Sequence, residues 1–395
     1  MKSFASRNFV MAFMGKAVSW VLVARAVERI GAWRFAASGR AAAVVAGLMM
    51  AFALAGCAAP VDTGGTSASP MPAQERQEGQ SSAPVARSEE GDEIMDGGSE
   101  AVEIIQPEES LAIPSDYREP CEQAGHLERL DYDTFEAFSY ADRSEPLSKY
   151  AIVYVPYGYD EGEKYNVVYL MHGGWSDQTT FLGTPGAPGS FKNVIDHAMA
   201  DGVIEPCLIV CPTYNNTSAD DAADYALALE LTARYPNELV NDLMPAVASA
   251  YSTYAGDGTL EALATSRDHR AFMGFSMGSV TTWHIFENCL AYFRFFAPAS
   301  GNAGSGAYWA DAVERQGFGA EDFLIVGATG SDDFNGSAFT ALMQDMAANP
   351  MFRAGEGDPD ANLVFRIGTG ESHDGYAAER YMYNAMALLW HESAV

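Results

Sequence analysis

From about residue 115 onward the chain alternates short, nearly continuous apolar runs with longer stretches of helical periodicity. The runs "KYAIVYVP", "YNVVYLMHGG", "CLIVCP", "RAFMGF", "FRFFAPAS", "FLIVGATG" and "LVFRIGTG" have the length and composition of strands buried on both faces. Between and around them, helices are predicted near 190–201, 221–233, 237–252, 277–290, 307–316, 337–347 and 376–391. Strand followed by helix, repeated this often, predicts an α/β domain over 115–395 with a mostly parallel, doubly wound sheet of about eight strands and helices on both faces. Sites in such sheets lie beyond the carboxyl ends of strands.

The pattern before residue 115 is different. Residues 1–56 carry Lys2, Arg7, Lys16, Arg25, Arg29, Arg34 and Arg40 against the single acid Glu28, and the apolar run "AAAVVAGLMMAFALAGC" follows Arg40. That run is shorter than the roughly 20 residues a bilayer span needs, and its basic flank and small-residue end are those of an export signal. Leu54-Ala55-Gly56-Cys57 resembles a bacterial lipobox, which implies a signal peptide over 1–56, a lipid on Cys57 and an exported domain held at the membrane. Residues 57–114 are rich in Ser, Gly, Pro and acids and poor in aromatic residues, so they are expected to form a disordered acidic tether.

Charge and cysteine usage narrow the partners. The 395-residue chain has 23 basic and 53 acidic side chains, net −30, which repels nucleic acid and anionic membrane surfaces and favours an uncharged substrate. Cys207 and Cys211 lie four apart on a predicted strand, about 13 Å at a rise of about 3.3 Å per residue, too far to bridge. They are expected to be buried thiols, with Cys121 and Cys289 left open. No metal or cofactor motif stands out.

The chemistry is carried by Gly274-Phe275-Ser276-Met277-Gly278, set between the strand "AFMGF" and the helix "SVTTWHIFENCLAYF". This is the strand, sharp turn and helix of a nucleophile elbow, with Ser276 as nucleophile. A serine hydroxyl needs a base, and that base an orienting acid. Of the histidines after Ser276, His284 lies along the elbow helix and His391 on the last helix, whereas His373 stands in "GTGESHDGY", on a loop past the last strand. The acid is expected in "SDDFNGSAF", as Asp332 or Asp333, with Asp374 a weaker rival. Oxyanion donors are expected from the backbone of Met277 and, in "MHGGWSD", of Gly174, which leaves His172 a structural role.

These segments resemble a known family. "YAIVYVPYGYDEGEKYNVVYLMHGG", "NELVNDLMPAVASAYSTYA", "SRDHRAFMGFSMGS", "GATGSDDF" and "ESHDGY" are similar to the esterase D-type α/β-hydrolases, in particular carbohydrate esterase family 1, over about Leu147 to Trp390. The resemblance implies an α/β-hydrolase fold, Asp333 as the acid, and feruloyl or acetyl esters on plant polysaccharide as substrates. Siderophore-ester hydrolysis and acyl transfer use the same fold, and an inactive sugar-binding lipoprotein is the rival from another class. Trp175, Tyr308, Trp309 and Tyr376 are candidate substrate contacts. Ser279, where the family often has a further glycine, and the Gly- and Pro-rich "GTPGAPGS" depart from the pattern.

Overall fold

The computed structural model describes residues 105–390. The expected signal segment, Cys57, most of the expected tether and His391 lie outside the described residues. Nine strands form one sheet: β1 (Glu108–Glu109), β2 (His126–Phe135), β3 (Pro146–Val155), β4 (Asn166–Met171), β5 (Cys207–Cys211), β6 (Arg270–Phe275), β7 (Phe295–Ala299), β8 (Leu324–Gly330) and β9 (Leu363–Gly368). Their spatial order is β1-β9-β8-β7-β6-β4-β5-β3-β2, antiparallel at β2/β3 and β3/β5 and parallel elsewhere. The chain moves outward from β4 to β5, then returns to the other side of β4 to lay down β6. That reversal is a topological switch point, where an open α/β sheet leaves a crevice.

Alternation along each central strand feeds two apolar layers. Val167, Tyr169 and Met171 of β4 face one side, with Ala228, Leu231 and Tyr235 of α2 (Tyr225–Glu238) and Trp283 and Phe286 of α5 (Met277–Asn288). Val168 and Leu170 face the other, with Phe191, Val194 and Ile195 of α1 (Ser190–Ala200). The remaining helices are α3 (Met244–Ala250), α4 (Leu260–Thr265), α6 (Gly306–Gln316), α7 (Gly336–Ala347) and α8 (Gly375–Met386). Helix α8 joins α1 beneath the sheet, while α6 and α7 join α2 and α5 above it. Period-two burial on both faces is what makes the β-runs read as continuous apolar stretches.

Three expectations are revised. The tether was expected to reach residue 114, but its last residues lie on the domain: Glu108 and Glu109 pair in parallel with Arg366 and Ile367 as a ninth strand. Strand β2 was not anticipated, because as the far edge it buries only Leu127, Tyr132 and Thr134 among charged neighbours. The helices expected at 221–233 and 237–252 are one continuous path, α2 into a π-turn (Leu239–Leu243) into α3. Pro236 lies inside α2 and breaks nothing. The four cysteines of the described residues are unpaired, and Cys207, Cys211 and Cys289 are buried.

Candidate active site

Ser276 follows the last residue of the central strand β6 and caps α5, with φ 58° and ψ −116°. A side chain at positive φ costs of order 1–3 kcal/mol and persists only where surroundings enforce it. Here the enforcement is backbone against backbone. A Cβ at Gly274 would meet the carbonyl oxygen of Gly278 at 2.5 Å, and one at Gly278 would run into the carbonyls of Met171 and His172. The Ser276 amide donates to the Ala299 carbonyl at 2.9 Å, which ties the elbow to β7. Ser279 is part of the same brace: its Oγ donates to the Gly301 carbonyl at 2.6 Å, alongside Trp283 Nε1 at 2.9 Å. The departure from glycine at 279 thus adds a buried hydrogen bond.

Three loops from three strands converge on the serine. His373 Nε2 lies 2.9 Å from Ser276 Oγ, and its Nδ1 lies 2.8 and 3.0 Å from the two oxygens of Asp333. Asp333 is buried beyond the end of β8, held by Asn335 N–H donating to Oδ1 at 2.7 Å. Asp332 points away, taking a 3.0 Å hydrogen bond from Ser331 Oγ. Asp374 caps α8 through the amides of Tyr376 and Ala377 at 2.9 and 3.0 Å. His284 faces Glu287 at 3.7 Å, one turn along α5. Of the two acids left open, Asp333 is the one brought to His373, and the three rivals within the described residues, Asp332, Asp374 and His284, are engaged elsewhere.

The loop after β4 carries Gly174, the expected second oxyanion donor. Gly173's carbonyl accepts from Tyr214 Oη at 2.9 Å and from His172 Nδ1 at 2.7 Å. Because the peptide is planar and trans, anchoring this carbonyl aims the Gly174 N–H the opposite way. That N–H makes no hydrogen bond among the described residues, whereas Trp175 N–H is committed to the Ala222 carbonyl at 2.9 Å. Gly173 also abuts the nucleophile, since a Cβ there would sit 3.4 Å from Ser276 Cβ. His172 is structural: its Nε2 lies 2.7 Å from Thr213 Oγ1, and burial lowers its pKa to about 4. An imidazole kept neutral in this way can donate from Nδ1 and accept at Nε2 at ordinary pH.

With this geometry, likeness to known proteins becomes specific. The family model named "Esterase" matches residues 149–318. A feruloyl esterase module from Clostridium thermocellum, solved as a mutant with sinapinate, is 30% identical, covers 74% of this chain and 97% of its own, and superposes with a TM-score of 0.62. The chain belongs to the carbohydrate esterase family 1 type of α/β-hydrolase. Endo-1,4-β-xylanase Y of Acetivibrio thermocellus is 32% identical over 291 residues, 71% of this chain. The chain spans about a quarter of that relative, 24%. A ferulic acid esterase from Anaeromyces mucronatus, at 18% identity and TM-score 0.50 over 71% of this chain and 97% of its own, shares the fold.

Within this esterase domain the expected substrate contacts divide sharply. Trp175 on the loop after β4 and Tyr376 on the first turn of α8 are 74% and 71% exposed. Trp309 is a correction: it is 2% exposed, stacked on Trp283 at 4.9 Å, with Nε1 donating to the Ala303 carbonyl. Facing α5 across the upper layer, it packs the core. Tyr308 beside it is partly exposed and donates to Glu287. Sequence reading missed Phe334, directly after the acid, which is 81% exposed with its ring 4.2 Å from the His373 imidazole. The "GTPGAPGS" stretch makes a tight ladder, Gly183–Thr184 against Ala187–Pro188, that leads into α1. Among the described residues no group of three or more His, Cys, Asp or Glu side chains is placed to hold a metal ion.

Proposed function

We propose that this protein hydrolyses carboxylic esters through an acyl-enzyme on Ser276, with hydroxycinnamoyl or acetyl groups on plant polysaccharide as its substrates. The observation that carries the reading is the unbroken relay from Asp333 through His373 to Ser276, at 2.8 and 2.9 Å, on a strained elbow. In the first half-reaction Ser276 Oγ attacks the ester carbonyl while His373 Nε2 takes its proton. Asp333 holds Nδ1–H and stabilises the imidazolium. The N–H groups of Met277, at the start of α5, and Gly174 receive the oxyanion. His373 then returns the proton to the leaving alcohol, and in the second half it deprotonates the water that releases the acid.

The rim and the relatives support this substrate class. Trp175, Phe334 and Tyr376 offer exposed rings to a planar aryl group or a sugar face, and the relatives are a feruloyl esterase module and a xylanase. The net charge of −30 favours departure of a carboxylate product over its return. The lipobox-like Leu54 to Cys57 supports an exported domain anchored through Cys57, which incorporation of labelled palmitate, abolished by Cys57→Ala, would test.

The deciding experiment is turnover of methyl ferulate, an aryl acetate and acetylated xylan by parent and Ser276→Ala proteins. The expected result is a loss of roughly 10⁶-fold in the variant. Equal rates on the aryl acetate would sink the assignment, and absent fluorophosphonate labelling at Ser276 would favour a sugar-binding protein.

A further inference from the structure

His373 sits on the short connection 369–374 between β9 and α8, and the segment just after the acidic linker grips both ends of it. At the β9 end, the Glu109 carboxylate takes the Thr369 N–H at 3.1 Å and the Thr369 hydroxyl at 2.7 Å. Next to it, Ser110 N–H donates to the Ile367 carbonyl at 2.8 Å. At the α8 end, Arg380 joins Glu109 and the Ser110 carbonyl to Glu371, on the connection itself. Leu111 exchanges two 2.8 Å hydrogen bonds with the buried Asn384 side chain. Arg118 pairs with Glu379 at 2.6 Å and lies over the Tyr376 ring at 5.0 Å.

The connection in turn grips the acid loop. Asp332 N–H donates to the Glu371 carbonyl at 3.1 Å, and Gly370 N–H to Ser331 Oγ at 2.8 Å. A displacement at Thr369 or Glu371 therefore reaches both His373 and Asp333.

We propose that residues 109–111 are a positioning strap for the triad, with Glu109 its key side chain, and that the end of the linker is thereby part of the esterase's working parts. This rests on the Ser276–His373–Asp333 reading. The ion pair of Glu109 with Arg380 is individually weak, because the Glu109 carboxylate is half exposed. Their effect is geometric: a small misplacement of a reacting group costs far more in rate than in stability. An edge strand that merely covered β9 would do the reverse.

The test uses the full chain with Glu109→Ala, Glu109→Ala/Ser110→Pro, Glu109→Gln and, as a control on the same strand, Glu108→Ala. Melting temperature, kcat and KM for an aryl acetate, the pH profile of kcat/KM and the fluorophosphonate labelling rate are measured well below the lowest melting point. The strap predicts kcat and labelling down about 10-fold in the double variant, KM within about twofold, a displaced acid limb of the profile, and a smaller loss for Glu109→Ala. Glu109→Gln, which keeps an acceptor for Thr369, recovers most of the rate, and Glu108→Ala matches the parent. Unchanged kcat in Glu109→Ala and in a folded double variant overturns the strap, as does a KM effect alone. Should the double variant not fold, Glu109→Ala against Glu109→Gln decides. Ser276→Ala run in parallel separates the two ideas: if it stays active the triad reading fails, and if it is dead while Glu109→Ala and the folded double variant are both fully active only the strap fails.

Discussion

Phe334 lays its ring 4.2 Å from the imidazole of His373 while most of its own surface faces solvent. The buried Phe275 ring lies 4.5 Å from the same imidazole, so the histidine is flanked by an inner and an outer aromatic wall. Phe334→Ala removes only the outer one. Its expected outcome is a fall of about two- to tenfold in kcat/KM for aryl esters, equivalent to the roughly 0.5–1.5 kcal/mol typical of a ring contact, with an unchanged melting temperature. Steady-state kinetics on methyl ferulate checks it.

The two adjacent acids should behave very differently. Asp333→Asn leaves the geometry but presents an amide to His373 Nδ1, and kcat should drop about 10⁴-fold. Asp332→Asn touches only the Ser331 hydroxyl and should stay within about threefold of the parent. Comparable losses in both variants would mean the relay is misassigned.

Trp309 and Trp175 form a similar contrast. Truncating the buried Trp309 to Ala should cost about 3–5 kcal/mol in urea denaturation, because it leaves a cavity against Trp283. Truncating the exposed Trp175 should leave stability within about 0.5 kcal/mol and instead raise KM for aryl or sugar-linked esters. A shifted KM for Trp309→Ala at full stability would return it to the substrate surface.

His172 sets a pH dependence of folding. Its folded pKa, lowered to about 4 by burial, lies below the unfolded value near 6.5, so the unfolded chain binds the extra proton first. Stability is then lost as pH falls from about 6.5 to about 4, by on the order of 3 kcal/mol, and levels off below. Burial raises Glu238 above the usual carboxylate range, which slopes the other way above pH 4.5 but does so in parent and variant alike. The difference between parent and His172→Asn denaturation midpoints across pH 4–7 therefore isolates the histidine. A constant difference would refute its neutral burial.

What could be read from the sequence were the features that local pattern dictates. Strand β6 and the Gly274-to-Gly278 turn announce the elbow, because no Cβ is tolerated at either glycine. His373 was legible from chain order and from its loop past the last apolar run. Between Asp332 and Asp333 the residues alone were neutral: neighbours on a turn face opposite ways, and which faces inward depends on the contacts around Asn335 and Glu371. Trp309 was misread and Phe334 overlooked for one reason. An aromatic ring has the same apolar character in a core or on a rim, and only tertiary placement separates 2% from 81% exposure. Strand β2 escaped because an edge strand may carry charges on its open side without penalty, and α2 to α3 because a π-turn absorbs what Pro236 would otherwise break.

The glycine-on-carbonyl packing around Ser276 has an evolutionary corollary. Main chain wedged against main chain offers no side chain there to exchange, so the reacting centre is mutationally rigid. Trp175, Phe334 and Tyr376 are its opposite, three solvent-facing rings whose replacement leaves that wedge intact. On the proposed esterase reading, new acyl preferences can therefore arise by single substitutions at the rim, with the elbow inherited untouched.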